Sequence, residues 1–275
     1  MKVIPRQPAA APPRAFTLIE LLTVVAIIGI VIAVGLPMLG SMQRSSAHTA
    51  AIDTVSTAAS AGRAFAMRPI EFIDNIPGNN TAGVYSGAGA VFLYDKEHER
   101  YQIRLVENIQ TIRNSTTYLE ISGEEGFSNL SGFDPIVIPG TIGIAGIYRG
   151  TSGVEYISPY DPNTANQTDD REIMIWFNAQ GVLQCRNPSD VFYDDDGDGV
   201  VNTTSSSSTF DGVEAVPGVM VFDRKQFTSV TGIPTPYDWD SLSTSEKTKV
   251  TDFMEDPNNT TAVFFSRYSG AAIRE

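Results

Sequence analysis

The sequence predicts an α+β fold. A long N-terminal helix, membrane-spanning in its first half and amphipathic in its second, packs on an antiparallel β-sheet or sandwich. Three observations predict it. Residues 16–40 carry a single charge, Glu20. Residues 41–68 keep helix-forming composition and gather their apolar positions on one face. From residue 90 onward the chain breaks into short β-branched or aromatic runs bounded by Gly, Pro, Asn or Asp.

Residues 1–15 contain Lys2, Arg6 and Arg14, no acid, and Pro5, Pro8, Pro12 and Pro13. Prolines and like charges disfavour a helix, so this arm is expected to be an unstructured basic leader. Residues 16–40 as a helix would span roughly 37 Å at 1.5 Å per residue, enough for a hydrocarbon layer of about 30 Å. Cations precede the segment and Arg44 is the first to follow it. The positive-inside rule therefore leaves the arm in the cytoplasm and the remainder outside. A secretory signal peptide has a shorter apolar region, of about 7–15 residues. A plain anchor leaves Glu20 without a reason, since a carboxylate in an apolar layer is costly and marks function.

The stretch "RAFTLIELLTVVAIIGI" resembles the cleavage and methylation motif of type IV prepilins and type II secretion pseudopilins. The resemblance implies that a peptidase cuts between Ala15 and Phe16 and that the new amine of Phe16 is methylated. It makes Glu20 the assembly carboxylate, neutralising the terminal amine of a neighbouring subunit. Pro37 matches the family's proline in this helix. Ala15 is a departure, standing where glycine is usual. An α-amino group, with an ordinary pKa near 8, stays mostly protonated, and two opposite charges in an apolar layer relieve each other only when the helices pack in register. The implied partners are other pilin or pseudopilin subunits, the prepilin peptidase and methyltransferase, and an inner-membrane assembly platform. The implied location is the bacterial inner membrane, single pass, with the C-terminal domain in the periplasm, and afterwards a filament. The implied role is that of a minor subunit of a type II secretion pseudopilus. The alternatives are a minor type IV pilin for adhesion, motility or DNA uptake, and a membrane-anchored calcium-binding module.

Beyond Pro37, Ile52, Val55, Ala59, Gly62 and Ala66 recur at helical spacing with Phe65 beside them, and Pro69 ends the pattern. The helix from 16 to about 68 would be roughly 80 Å long. Residues 71–90 read as an irregular linker, and 69–275 as the globular β-rich part. Its expected strands lie in "AVFLYD", "RYQIRLVENI", "TTYLEIS", "PIVIP", "EIMIWFNAQGVLQCR", "VPGVMVFD" and a closing hairpin in "TAVFFSRYSGAAIRE". "IMIWFNAQG" and "FFSRYSGAAIR" resemble two hairpins of the H-type minor pseudopilins and the related FimT pilins.

The loop at 193–211 is acidic. Asp194, Asp196 and Asp198 alternate and Gly199 follows, as in the first half of an EF-hand loop. Asp194, Asp196, Asp198, Val200 and Asn202 are the candidate calcium ligands, but Ser205 occupies the place of the bidentate Glu. No cofactor is required beyond this candidate Ca2+.

A net charge of -13 disfavours a sequence-independent grip on nucleic acid. One cysteine, Cys185, and two histidines, His48 and His98, leave no basis for a His/Cys zinc site. No nucleophile, base or phosphate loop stands out, so the chain is not expected to be an enzyme. Cys185 reads as a small buried hydrophobe at a strand end, and both histidines as solvated surface.

Overall fold

The computed structural model describes residues 18–68, 87–108, 125–150, 153–159, 172–185, 191–194 and 212–274; within the first helix, the side chains of 34–39 and 41 lie outside that description. The chain divides into two compact units, Met1–Ser45 and Ser46–Glu275. Helix α1, Leu18–Ala66, contributes to both. Next come β1 (Gly87–Asp95), β2 (Arg100–Asn108), β3 (Glu125–Asn129), β4 (Ile136–Val137), β5 (Ile142–Gly150), β6 (Gly153–Ile157) and β7 (Glu172–Asn178). β8 (Leu183–Gln184), β9 (Val191–Tyr193), β10 (Val213–Ala215) and β11 (Gly218–Asp223) follow. Helices α2 (Arg224–Thr231) and α3 (Thr244–Met254) then precede β12 (Thr260–Phe265) and β13 (Ala272–Arg274).

The described strands form two sheets. One has the order β10-β7-β1-β2-β3-β9, with β4 paired to β2 and β8 to β7; the other has the order β13-β12-β11-β5-β6. The expected all-antiparallel arrangement is corrected at two places. β10 runs parallel to β7, and β3 runs parallel to β9. Parallel neighbours need a crossover of a dozen or more residues, and β3 and β9 are separated in the chain by β4 to β8. A single bridge, Phe192↔Gly212, joins β9 to the residue before β10. It brings the two edges of the first sheet together.

Period-two alternation sorts the side chains of that sheet. On β7, Ile173, Ile175 and Phe177 face the core shared with α1 and the second sheet, whereas Met174 and Trp176 face inward with Val91, Phe127 and Tyr193. On α1 the buried positions are Ala51, Ile52, Val55, Ala58, Ala59, Gly62 and Ala66, with Phe65 half-buried. The face read from periodicity is therefore the face that packs.

A third core is built from the segment between β11 and β12, for which the sequence reading named no element. α2 and α3 lay Phe227, Val250, Phe253 and Met254 over Ala145, Ile147, Met220 and Phe222 of the second sheet. Their residues "RKQFTSVT" and "TSEKTKVTDFM" have weak helix propensity, so packing rather than propensity holds them. Their starts are signalled all the same. Asp223 caps α2 by accepting from the Gln226 N–H, and Ser243 with Glu246 forms a capping box on α3. Two further corrections follow. β1 begins at Gly87, inside the expected linker, and Cys185 is exposed at the end of β8 rather than buried. The expected strand "TTYLEIS" lies outside the described residues.

Candidate functional site

The described start of α1 presents an unusual surface. Leu18, Ile19, Leu21, Leu22, Val24, Val25, Ile27, Ile28, Ile30, Val31 and Ile32 are each at least half exposed. At 100° per residue these positions surround the helix, so no turn of it offers a polar face. Fully burying one such side chain is worth about 1.5–3 kcal/mol. Leaving all of them in water therefore forgoes on the order of 10 kcal/mol, comparable to the whole stability of an ordinary domain. Chemistry demands a cover of lipid or of other apolar helices.

Glu20 stands exposed in the first turn of this helix. It is the only charged residue between Leu18 and Gln43. Its position suits the helix N-terminus, where the macrodipole favours an anion. One turn on, the Thr23 hydroxyl donates to the Ile19 carbonyl at 2.7 Å and so adds little free polarity. The helix continues through Pro37, whose side chain lies outside the description. Ala15 and Phe16 also lie outside the described residues. Among the described residues no helix is long and apolar enough to cross a membrane. Of the expected span of 16–40, residues 16 and 17 lie outside the described residues, and so do the side chains of 34–39.

The acidic loop begins on the seam of the first sheet. Asp194 is buried, and its N–H donates to the Phe127 carbonyl at 2.9 Å, extending the β3–β9 ladder. Asp196, Asp198, Val200 and Asn202 lie outside the described residues. Among the described residues no group of three His, Cys, Asp or Glu side chains could hold a metal. Beside the loop, the Tyr193 hydroxyl donates to Asn129 Oδ1 at 2.8 Å and accepts from Arg104 Nη1 at 3.3 Å. Burial and the nearby Glu172 charge outweigh those bonds, and the Tyr193 pKa is pushed up to about 12.

The histidines divide. His98 is exposed, with Nδ1 2.9 Å from Asp95 Oδ2. His48 is half-buried instead of solvated, its Nε2 3.3 Å from the Val221 carbonyl oxygen of β11.

One residue that the sequence reading passed over joins distant parts of the chain. Arg63, in the last turn of α1, donates from Nε to the Gly181 carbonyl at 2.9 Å and from Nη2 to the Tyr268 carbonyl at 3.0 Å. The two carbonyls belong to the two hairpins read as motifs. The available signal was a lone cation beside Gly62 at the end of a small-residue face.

Residues 13–36 match the family model of the prokaryotic N-terminal methylation motif. The match supports a type IV pilin-like or pseudopilin subunit, one processed by a prepilin peptidase and assembled with other pilin subunits. It covers Glu20 and the Ala15–Phe16 bond, and it ends one residue before Pro37. It also supports a membrane-anchored subunit that enters filaments. No curated protein and no solved structure matches the chain.

Proposed function

We propose that this chain is a minor pseudopilin of a type II secretion system. In this reading it is cut between Ala15 and Phe16, methylated on Phe16, held in the inner membrane by residues 16–40, and drawn from there into a short periplasmic filament. Its role is structural, and the enzymes act on it. The observation that carries the reading is a helix apolar on every side with one carboxylate, Glu20, inside a matched methylation motif. An apolar helix needs only a cover. An apolar helix with one charge near its start needs a cover that supplies a cation at one level, and the methylated amine of a neighbouring Phe16 is such a cation. Glu20 therefore sets register, and Pro37 loosens the backbone hydrogen bonding where the helices must fit together.

We also propose that the acidic loop takes a calcium ion through Asp194, Asp196, Asp198, the Val200 carbonyl and Asn202. What supports this is the alternation of carboxylates together with the anchoring of Asp194 on the β3–β9 ladder. An H-type assignment rests on the two hairpin motifs alone.

The deciding experiment is the intact mass and N-terminal sequence of the protein taken from its native membrane. A chain that begins at Phe16 with one added methyl group is expected. A chain that still begins at Met1 in cells with an active prepilin peptidase would sink the reading. A minor type IV pilin would be processed in the same way. Cross-linking to pilus subunits rather than to secretion components would favour it.

A further inference from the structure

We infer that Arg63 is the positioning residue that fixes the helix to the globular domain; the inference rests on α1 being the assembly helix. The face of α1 within Ser46–Ala66 is built mostly from alanines and one glycine: Ala51, Ala58, Ala59, Gly62 and Ala66 are buried. Ile52 and Val55 are buried beside them, and Gly62 meets β1 backbone to backbone, so the face packs closely. To that apolar fit Arg63 adds direction-specific polar contacts.

Its guanidinium reaches two turns that belong to different sheets. The Asn178–Gly181 turn joins β7 to β8 in the first sheet. The Ser266–Gly270 turn joins β12 to β13 in the second. The two are themselves tied, since the Leu183 N–H donates to the Arg267 carbonyl at 2.8 Å. Gly181 and Gly270 both sit at positive φ, 68° and 63°. A Cβ on Gly270 would run into Arg63 Cδ, and one on Gly181 would come 2.6 Å from Met67 Sδ and 3.1 Å from Arg63 Nε. The positive φ of each turn demands glycine, and the space left by the missing Cβ is taken up by the side chains of Arg63 and Met67. The pair of hairpin motifs, distant in sequence, is the socket of one side chain.

A second tie, Arg274 to Asp53, is short at 2.6 Å but more than half exposed on both sides, so it holds little. Hydrogen bonds from a guanidinium to two carbonyls are charge-assisted and direction-specific. Sliding or rolling α1 breaks both at once. A displacement of α1 within Ser46–Ala66 is thereby felt at both sheets through Arg63.

The test uses the full-length chain in its native membrane and purified in detergent, as wild type, R63K and R63A. Three quantities are read: N-terminal processing, amide hydrogen exchange over 46–66, and filament recovery by cross-linking. R63A should leave processing unchanged, speed exchange at the C-terminal end of α1 by about tenfold, and lower filament recovery by about as much. R63K, which keeps the charge but loses the fork, should fall between. Should R63A fail to fold, R63Q carries the same test. Faster exchange with wild-type filament recovery would overturn the positioning role and leave Arg63 merely structural. Unchanged exchange would overturn the socket itself. If the wild type proves unprocessed, the assembly reading fails, and the exchange data still decide whether Arg63 holds the helix.

Discussion

Gly62 of α1 lies so close to Gly89 of β1 that a Cβ added to Gly62 would stand 2.8 Å from the Gly89 carbonyl carbon. Helix and strand meet there backbone to backbone. The neighbouring buried positions, Ala58, Ala59 and Ala66, all carry a Cβ, so a one-turn slip would push a methyl group into β1. Gly62 therefore marks the point within Ser46–Ala66 where the helix crosses the strand.

Gly62→Ala should destabilise the fold by about 1–3 kcal/mol, despite the higher helix propensity of alanine, because the obstructing atoms are backbone and cannot give way. The chemical-denaturation midpoint of the wild type and variant measures this. A neutral or stabilising substitution would mean that α1 stands farther from β1.

Glu20→Ala should leave cleavage after Ala15 intact and reduce filament recovery by about tenfold or more, since one unpaired amine per neighbour would remain in an apolar layer. Glu20→Asp should restore part of the loss. Parallel measurement of mature mass and of cross-linked filament separates the two steps. Normal filaments from the alanine variant would remove the reason for a charge at this level.

Alkaline pH should weaken the domain from about pH 10 upward. Tyr101, Tyr193 and Tyr237 are buried as neutral phenols, and burial raises all three pKa values above the ordinary value near 10. A folded-state pKa above the unfolded one means that the native state holds protons that the unfolded chain releases. Stability is thus fully present below about pH 10 and is lost as pH rises toward the folded value, about 12 for Tyr193. Each such group contributes a slope of about 1.4 kcal/mol per pH unit within its window. Melting curves between pH 9 and 11 should show the fall, and Tyr193→Phe should make it shallower. A flat profile would place these hydroxyls in water.

Calcium should raise the melting temperature, and EDTA should reverse the rise. A ligand that binds only the native state at about 100 times its Kd adds about 2.7 kcal/mol. For a domain of this size that is several degrees. The double substitution Asp196→Asn with Asp198→Asn should abolish the calcium response while leaving the metal-free melt near its wild-type value. Equal responses in both proteins would locate the ion elsewhere or remove it.

The α+β class and the long helix were legible because apolar periodicity is a property of the residues themselves. Ile52, Val55, Ala59, Gly62 and Ala66 announce a face before any partner is known. The strands centred on "AVFLYD", "RYQIRLV" and "IMIWF" were legible for the same reason, since β-branched and aromatic runs have few other uses. β3, β5 and β6 were not read as strands, their glycines interrupting any apolar run, and neither were β9 and β10. Three-residue strands have no period of their own, and their parallel pairing depends on where distant chain returns. α2 and α3 were missed because Thr, Ser, Val and Phe, which are weak helix formers, are spread through them, although Asp223, Ser243 and Glu246 spelled out the caps. At the candidate site, Glu20 was conspicuous because a charge contradicts its surroundings. Arg63 was not, because a cation near a helix end is ordinary until its acceptors, 118 and 205 residues away, are brought beside it.

The bridge from Phe192 to Gly212 has a bearing on how such a subunit avoids sticking to its copies in the wrong way. A sheet with open margins is a template for strand addition, and a polymer-forming protein held at high local density would be in particular danger of it. Here β9 and the start of β10, at the two ends of the larger sheet's main strand order, are joined by that bridge, with β4 and β8 as two-residue side strands. In the smaller sheet the β6 margin is guarded, with the Tyr156 carbonyl accepting from the Tyr237 hydroxyl at 2.8 Å. The opposite margin is the three-residue β13, too short to seed a ladder. Among the described residues, the strand margins therefore leave little room for cross-strand zippering between copies.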